Sequence, residues 1–549
     1  MKRHLRTVFC ILLSVAMLFS LLSCKSVKSN KTESNGLVTD TLPIVKTPIT
    51  LTILTITQSS FNLTNQLPFY KELTKRTNIN FDIQLLPATD TTQKFNLIMA
   101  SGALPDIVNW SAMSDVAKYG SEGAFIPMEG YLKSCKNINA VLTNPPIDNL
   151  PYSQSILGDI TASDGHIYSL PVINPSNTIG AVYAIRTDWL KKLGDKVPTT
   201  TDELEKVLLD FKTKDPNGNG KADEIPFVSQ PTAVAGGAWN SIFPLINSFG
   251  AHIDLYLDSK TDTIKFGPMD STYKDGMTYV NKLYSEGLID KQYANTTTDL
   301  WTSEVTGNLG GMTFLWPGSG LATANTGLQK LNKDYKMEAM VPVKGPTGIG
   351  FKDTYTSGTL CPLRMSITKA NKYPLETMKL VDYLFSKDGS TLVNYGIEGT
   401  NYTMVNGKPT YTDNILKNPD GKSPELAKTS QGLKTSIFPW WDSWEPEMEA
   451  SMPTAPWTVD CWTKYSAKGI IEAPLPALSI TDQDVGRELT DIRTYRDEIA
   501  NGMLTGKVSI STYDQLTSKL KTMGIDNVLK VYNDVYKKYK TNVSKLSVK

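Results

Sequence analysis

Histidine is nearly absent from this chain, with three residues in 549, at positions 4, 166 and 252. A zinc cage of imidazoles, or a triad with histidine as its base, therefore has little to draw on, and His166 beside Asp164 and Gly165 reads as a turn residue. Cysteine is scarce as well. Beyond Cys10 and Cys24 there are Cys135, Cys361 and Cys461, far apart and odd in number, so neither a disulfide framework nor a CxxC redox pair follows. They read as small buried hydrophobes or as one incidental pair. An excess of one charge is missing too: 56 Lys and Arg face 55 Asp and Glu, for a net +1. No long-range field draws such a chain to nucleic acid. There is no GxGxxG fingerprint, and Gly220-Lys221 lacks the earlier glycine of a phosphate loop. Paired carboxylates for glycoside hydrolysis are recognised by separation in space, about 5–10 Å, and stay open at this stage.

Long hydrophobic runs are confined to one place. Lys2, Arg3 and Arg6 precede an apolar run from Val8 to Leu22, followed by Ser23 and Cys24. The run is short for a bilayer span, which needs about 20 apolar residues, and residues 1–23 read as a secretory signal peptide. Leu21-Leu22-Ser23-Cys24 resembles a bacterial lipobox. That resemblance implies a diacylglycerol-bearing Cys24 as first mature residue, with acyl chains such as palmitate anchoring the protein to the extracellular face of the cell membrane. Two or more such chains anchor stably. Removing 23 residues from 549 leaves 526, and the loss of three cations and no anion moves the net charge from +1 to −2. Residues 24–48, rich in Ser, Asn, Thr and Lys, read as a flexible tether. A body of this length exceeds one hydrophobic core, so two lobes or more are expected.

The body opens at Ile49 with Leu-Thr-Ile-Leu-Thr-Ile-Thr, a β-branched run that predicts a buried strand. An amphipathic stretch over Phe69–Thr77 and a second strand over Ile79–Leu86 complete a β-α-β opening. Phe95–Ala103 reads as helix, and Asp106–Val108 and Ile167–Pro171 as short strands. The fold class is α/β. No repeat, heptad or low-complexity tract appears beyond the tether.

Five segments in order resemble one family. They are Ala100-Ser101-Gly102-Ala103-Leu104-Pro105-Asp106-Ile107-Val108, Gly123-Ala124-Phe125-Ile126-Pro127-Met128, Asp164-Gly165-His166-Ile167-Tyr168-Ser169-Leu170-Pro171, Arg186-Thr187-Asp188-Trp189-Leu190 and Asp215–Pro226. Together they resemble the extracellular solute-binding lipoproteins of ABC importers, in the branch related to alginate- and glycosaminoglycan-oligosaccharide-binding proteins. The resemblance implies a two-lobed periplasmic-binding-protein-like fold of type II, with a sugar cleft between lobes that close by a hinge. It also implies a monomer that captures an oligosaccharide, delivers it to ABC transporter permease subunits and does no catalysis. The lobes expected from it are 49–178 plus 349–405, and 179–348 plus 406–549. A peptide-binding importer subunit and a lipid-anchored polysaccharide hydrolase or lyase are the alternatives.

One segment carries chemistry of its own. Asp215, Asn217, Asn219 and Asp223 occupy loop positions 1, 3, 5 and 9, with Gly220 at position 6 and the Lys221 carbonyl at position 7. This is calcium-loop spacing, because a hard cation wants about six to eight oxygens and glycine permits the sharp turn between ligands. Pro226 stands where an EF-hand holds its bidentate Glu; by the resemblance, Glu224 closes the shell instead. A metal-free Asn/Gly turn is the other reading. The loop follows a helix signalled by the capping pair Thr200 and Glu203 and by Leu204, Val207, Leu208 and Phe211 at helical spacing.

The aromatic residues favour sugar over peptide, since a pyranose offers a flat C–H face and a hydroxyl edge, whereas a peptide needs charges for its termini. Trp316 follows the strand-like Gly310–Leu315, and strand ends facing a crevice are where α/β sheets bind ligands. Trp440, Trp441 and Trp444 fall in a segment without periodicity. Trp316, Trp440 and Trp441 are read either as stacking platforms or as packing residues, and Trp444 and Trp189 as packing. Trp110, Ser59, Ser60 and Phe61 follow early strand ends and are further cleft candidates.

Overall fold

The structure, a computed structural model, describes residues 41–57, 62–87, 90–110, 113–144, 156–174, 181–229, 241–351, 360–435, 437–451, 456–465, 475–476, 478, 480 and 482–546. The signal segment, Cys24, most of the tether, and Ser59, Ser60 and Phe61 lie outside them. Among the described residues no helix is long and apolar enough to cross a membrane.

Strand β1 (Ile49–Ile56) pairs in parallel with β2 (Ile79–Leu86), in register from Ile49 opposite Ile79 to Ile56 opposite Leu86. The helix Pro68–Thr77 connects them. Proline opens it, where the missing N–H costs nothing, and Asn78 ends it in the left-handed region at φ 61°. A third parallel strand, β3 (Ile107–Trp110), lies on the other side of β1, and β4 (Leu170–Ile173) ends the first run of chain. The helix at Thr91–Ser101 and the strands β3 and β4 sit a few residues from their expected positions.

The next strands are β5 (Val182–Arg186), β6 (Ile225–Val228), the hairpin β7 (Leu255–Asp258) and β8 (Thr263–Phe266), β9 (Gly310–Leu315) and β10 (Met337–Met340). Four of them form a second sheet in the order β10-β5-β9-β6. The chain then returns, and β11 (Leu360–Ile367) inserts antiparallel between β3 and β4, so the first sheet reads β2-β1-β3-β11-β4. The first sheet is completed only after the second lobe has been built. The fold is accordingly an α/β protein of two lobes with interleaved crossings.

Both faces of the second sheet are covered, as mixed sheets flanked by helices require. Tyr183, Ile185, Phe227, Met312 and Phe314 face one core, while Val182, Ala184, Val228 and Leu315 face the other. Trp189 is 1% exposed, set edge-on against Phe211. Cys135 and Cys461 are buried, and burial first of all pushes the Cys135 thiol up to about 11.

The expected crossing near residue 405 is corrected. Leu433, Ile437, Phe438 and Trp440 are buried in the first lobe's core, with Phe438 against Phe81. Chain assignable to the second lobe resumes with the helix Pro456–Tyr465, whose Cys461 and Tyr465 pack on the second sheet. Four large apolar side chains outweigh any boundary drawn by likeness, because removing them would leave the first core open. The helix Ile525–Leu546 belongs to the second lobe through Val528, and its Tyr539 donates to Asp159 of the first at 3.0 Å.

Candidate functional site

Two aromatic residues flank the crossing between the lobes. The chain leaves the first lobe after Ile173 and Asn174 and enters the second at Ala181 and Val182. Trp441 forms a parallel bridge with Ile173 on one side. Leu315 pairs with Val182 on the other, and Trp316 is the next residue. Trp316 is 40% exposed, with its carbonyl capped by the N–H groups of Gly320 and Leu321 in a one-turn π-helix, Pro317–Leu321. Such turns recur at functional sites. Trp441 is half-buried on the rim of the first core.

The other candidates separate from these two. Trp110 is 4% exposed, with its ring stacked on Phe95 at 3.9 Å and its Nε1 donating to Asp115 at 2.8 Å. Trp440 is 4% exposed and belongs to the first core. Both are enclosed, so Trp110 is corrected from a cleft candidate to a packing residue, and of the two readings of Trp440 the packing one fits its burial. The side chain of Trp444 lies outside the described residues.

The segment around Trp441 is held at every turn. The Trp440 carbonyl accepts from Ile173 N at 3.0 Å, and Asp442 N donates to the Ile173 carbonyl at 2.9 Å. Asn394 supplies both ends of its amide, donating to the Trp441 carbonyl at 3.0 Å and accepting from Ser443 N at 3.2 Å. Lys434 reaches the Asp442 carboxylate at 2.6 Å and also the Glu447 carboxylate, which Lys428 meets at 2.9 Å. Burial alone would lower Lys434, but Asp442 and Glu447 carry it well above its ordinary range. Burial pushes Glu447 up, and Lys434 and Lys428 bring it down to about 2. No sequence signal pointed to Asn394, Lys434 or Glu447.

The Asp215–Glu224 loop sits at the opposite end of the second sheet. Thr200 caps the helix Thr201–Thr213 by accepting from Glu203 N at 3.2 Å, while the Glu203 carboxylate reaches back to accept from Thr199 N at 2.8 Å. The loop then turns through left-handed backbone at Asp215, Gly218 and Gly220. The Asp215 carboxylate accepts the N–H groups of Gly218, Asn219 and Gly220 at 2.9, 3.1 and 3.1 Å. Asp223 accepts from the side-chain amides of Asn217 and Asn219 at 2.8 and 3.0 Å, and Lys221 N donates to Asn219 at 2.8 Å.

Glu224 differs from its neighbours, because both its carboxylate oxygens are buried and no side chain donates to them. Burial first, then the charges of Asp215 and Asp223, raise it above the usual carboxylate range. Asp215, Asn217, Asn219, Asp223 and Glu224 carry the carboxylate and amide oxygens that a hard cation takes, so the donor set fits calcium in kind. Among the described residues no three His, Cys, Asp or Glu side chains converge on one point, and the carboxylates of Asp215 and Asp223 are turned toward donors of the loop itself. Ile225 pairs with Gly310, six residues before Trp316, which puts the loop roughly 20 Å from that ring at the rise of an extended strand.

Residues 62–391 match the family model described as bacterial extracellular solute-binding protein. The chain belongs to that family. It is 27% identical over 504 residues to the fructooligosaccharide ABC transporter substrate-binding protein FusA of Streptococcus pneumoniae serotype 4, covering 87% of this chain and 88% of FusA. It is 27% identical over 379 residues to lipoprotein LipO of Bacillus subtilis strain 168, covering 68% of this chain and 71% of LipO. Among solved structures, the alginate-binding protein AlgQ2 without calcium ion superposes with a TM-score of 0.68 at 29% identity, over 90% of this chain and 99% of AlgQ2. FusA and AlgQ2 are binding proteins rather than enzymes.

Proposed function

We propose that this protein captures an oligosaccharide outside the cell and delivers it, chemically unchanged, to the permease subunits of an ABC importer. One observation carries the reading. Trp316 and Trp441 stand on different lobes beside the same chain crossing, which is where rings are needed to hold a sugar that closing lobes enclose. The fructooligosaccharide-binding relative FusA and the alginate-binding relative AlgQ2 support the ligand class. The membrane reading rests on Cys24, supported by a lipoprotein relative; Cys24→Ala is expected to lose lipid labelling and leave the membrane fraction. Calcium at Asp215, Asn217, Asn219, Asp223, Glu224 and the Lys221 carbonyl is proposed as structural. It would neutralise Glu224 and fix the entry to β6, too far from Trp316 to touch a ligand there.

Titration calorimetry of the mature protein, as a monomer, against fructo-oligosaccharides, alginate oligosaccharides and a peptide pool tests the function. Saturable binding of a sugar that is recovered intact is the expected result. Binding of the peptide pool alone would transfer the protein to the peptide-importer reading, and shortened sugar products would transfer it to hydrolase or lyase chemistry.

A further inference from the structure

The residues around Trp441 form a device whose purpose is not apparent from packing alone. Lys434 lies in the left-handed region at φ 55°, a conformation that costs energy in a residue with a side chain. Two residues earlier, Gly432 turns at φ 86°, and a Cβ there would sit 3.1 Å from the Cβ atoms of Leu67 and Phe69. This tight double turn directs a lysine inward, where its side chain is 7% exposed between Asp442 and Glu447. Taking these charges out of water is expensive, and buried ion pairs can often be replaced by apolar residues without loss of stability. A strained backbone and a buried ion network together therefore suggest a use other than stability. Both end at the same point, the residue that follows Trp441.

We propose that Lys434 is a positioning residue: through Asp442 it fixes the Trp440–Ser443 segment against β4 and so sets the angle at which the Trp441 ring meets the ligand. The chain of contacts is short. Lys434 holds the Asp442 carboxylate, the Asp442 N–H is bound to Ile173, and Ile173 is the last residue of β4 before the crossing. Asn394 holds the same segment through its side-chain amide, and the Asp442 side chain links that segment to the buried network. What the ring is for rests on the sugar-binding reading; the immobilisation of the segment does not.

Lys434→Met alone would strand Asp442 and could unfold the protein, so the test uses Lys434→Met with Asp442→Asn, which leaves Glu447 paired with Lys428. Amide exchange of residues 440–443 is expected to quicken about tenfold or more while the melting temperature stays within a few degrees of wild type. Affinity for the fructo- or alginate oligosaccharide that wild type binds is expected to fall about tenfold. In a Trp441→Ala background the pair is expected to cause no further loss, because its effect passes through that ring. Unchanged exchange at 440–443 overturns the proposal. Equal losses of affinity with and without Trp441 overturn it as well, since the network would then act elsewhere. If neither sugar binds wild type, the exchange result still decides whether Lys434 fixes the segment, and only the sugar reading falls.

Discussion

Lys192 holds its ammonium 2.9 Å from the carbonyl oxygen of Pro216 and 3.2 Å from that of Asp215, at the mouth of the acidic loop. A resident cation therefore satisfies the loop's first carbonyls from outside, while the Asp215 carboxylate organises its backbone N–H groups from inside. The loop is shaped in advance, and what it lacks is a cationic or side-chain partner for Glu224.

Calcium is accordingly expected to raise the melting temperature of the mature protein by several degrees and chelator to reverse the rise. A ligand at 100 times its dissociation constant stabilises by about 2.7 kcal/mol. Asp215→Ala with Asp223→Ala is expected to remove the sensitivity and leave sugar binding in place, because the loop and Trp316 stand at opposite ends of β9. Glu224→Gln is expected to weaken calcium binding while making the metal-free protein more stable, since a buried charge is then gone. Melting curves that ignore calcium in the wild type would refute the assignment.

A second carboxylate predicts a pH dependence. Glu304, on the helix Thr298–Thr306, is 5% exposed with one oxygen lacking a partner, and burial, then the charge of Asp290, raise it to about 7. The folded state thus holds a proton that the unfolded chain releases near the ordinary glutamate value. Stability from this group is full below about pH 4.3 and is lost as the pH rises to about 7. Denaturant midpoints are expected to fall across that window. Glu304→Gln, permanently neutral, is expected to match wild type at pH 4 and exceed it at pH 8 by about 1–3 kcal/mol, allowing for partial screening. Parallel pH profiles for the two proteins would remove Glu304 as the cause.

Local features were legible where chemistry and spacing coincide. The β-branched run at Ile49, the cap at Thr200 and the oxygen-bearing residues from Asp215 to Glu224 all point to their structures by type and interval. Neighbouring tryptophans carry no such signal. Trp440 and Trp441 have the same chemistry, yet one is enclosed by the first core while the other stands on its rim, and only the pairing with Ile173 decides which is which. Trp110 follows a strand end as a platform would, but Phe95, from a helix whose placement is set by tertiary packing, covers its ring. Lys434, Asp442 and Glu447 are spaced without periodicity, so their convergence exists only in three dimensions. The late crossing has the same origin, since Leu433 and Phe438 complete a core that also draws on strands such as Ile49–Ile56, hundreds of residues earlier.

The contrast between Trp316 and Trp110 supplies the sharpest test. Trp316 is 40% exposed at the end of β9 and Trp110 is 4% exposed at the end of β3, so equal truncations are expected to have opposite consequences. A stacked aromatic contributes about 0.5–1.5 kcal/mol beyond its buried area, and interface tryptophans often cost about 2 kcal/mol or more when removed. Trp316→Ala is therefore expected to weaken oligosaccharide binding by about tenfold to a hundredfold, at about 1.4 kcal/mol per factor of ten, with little change in the denaturant midpoint. Trp110→Ala opens a cavity beside Phe95 and is expected to cost about 3–5 kcal/mol of stability, while the folded fraction keeps its affinity. Calorimetric titration beside denaturant unfolding separates the two effects. Intact affinity with a large loss of stability in Trp316→Ala would move that ring from the ligand to the core, and Trp441 would then be left to hold the sugar from one lobe only.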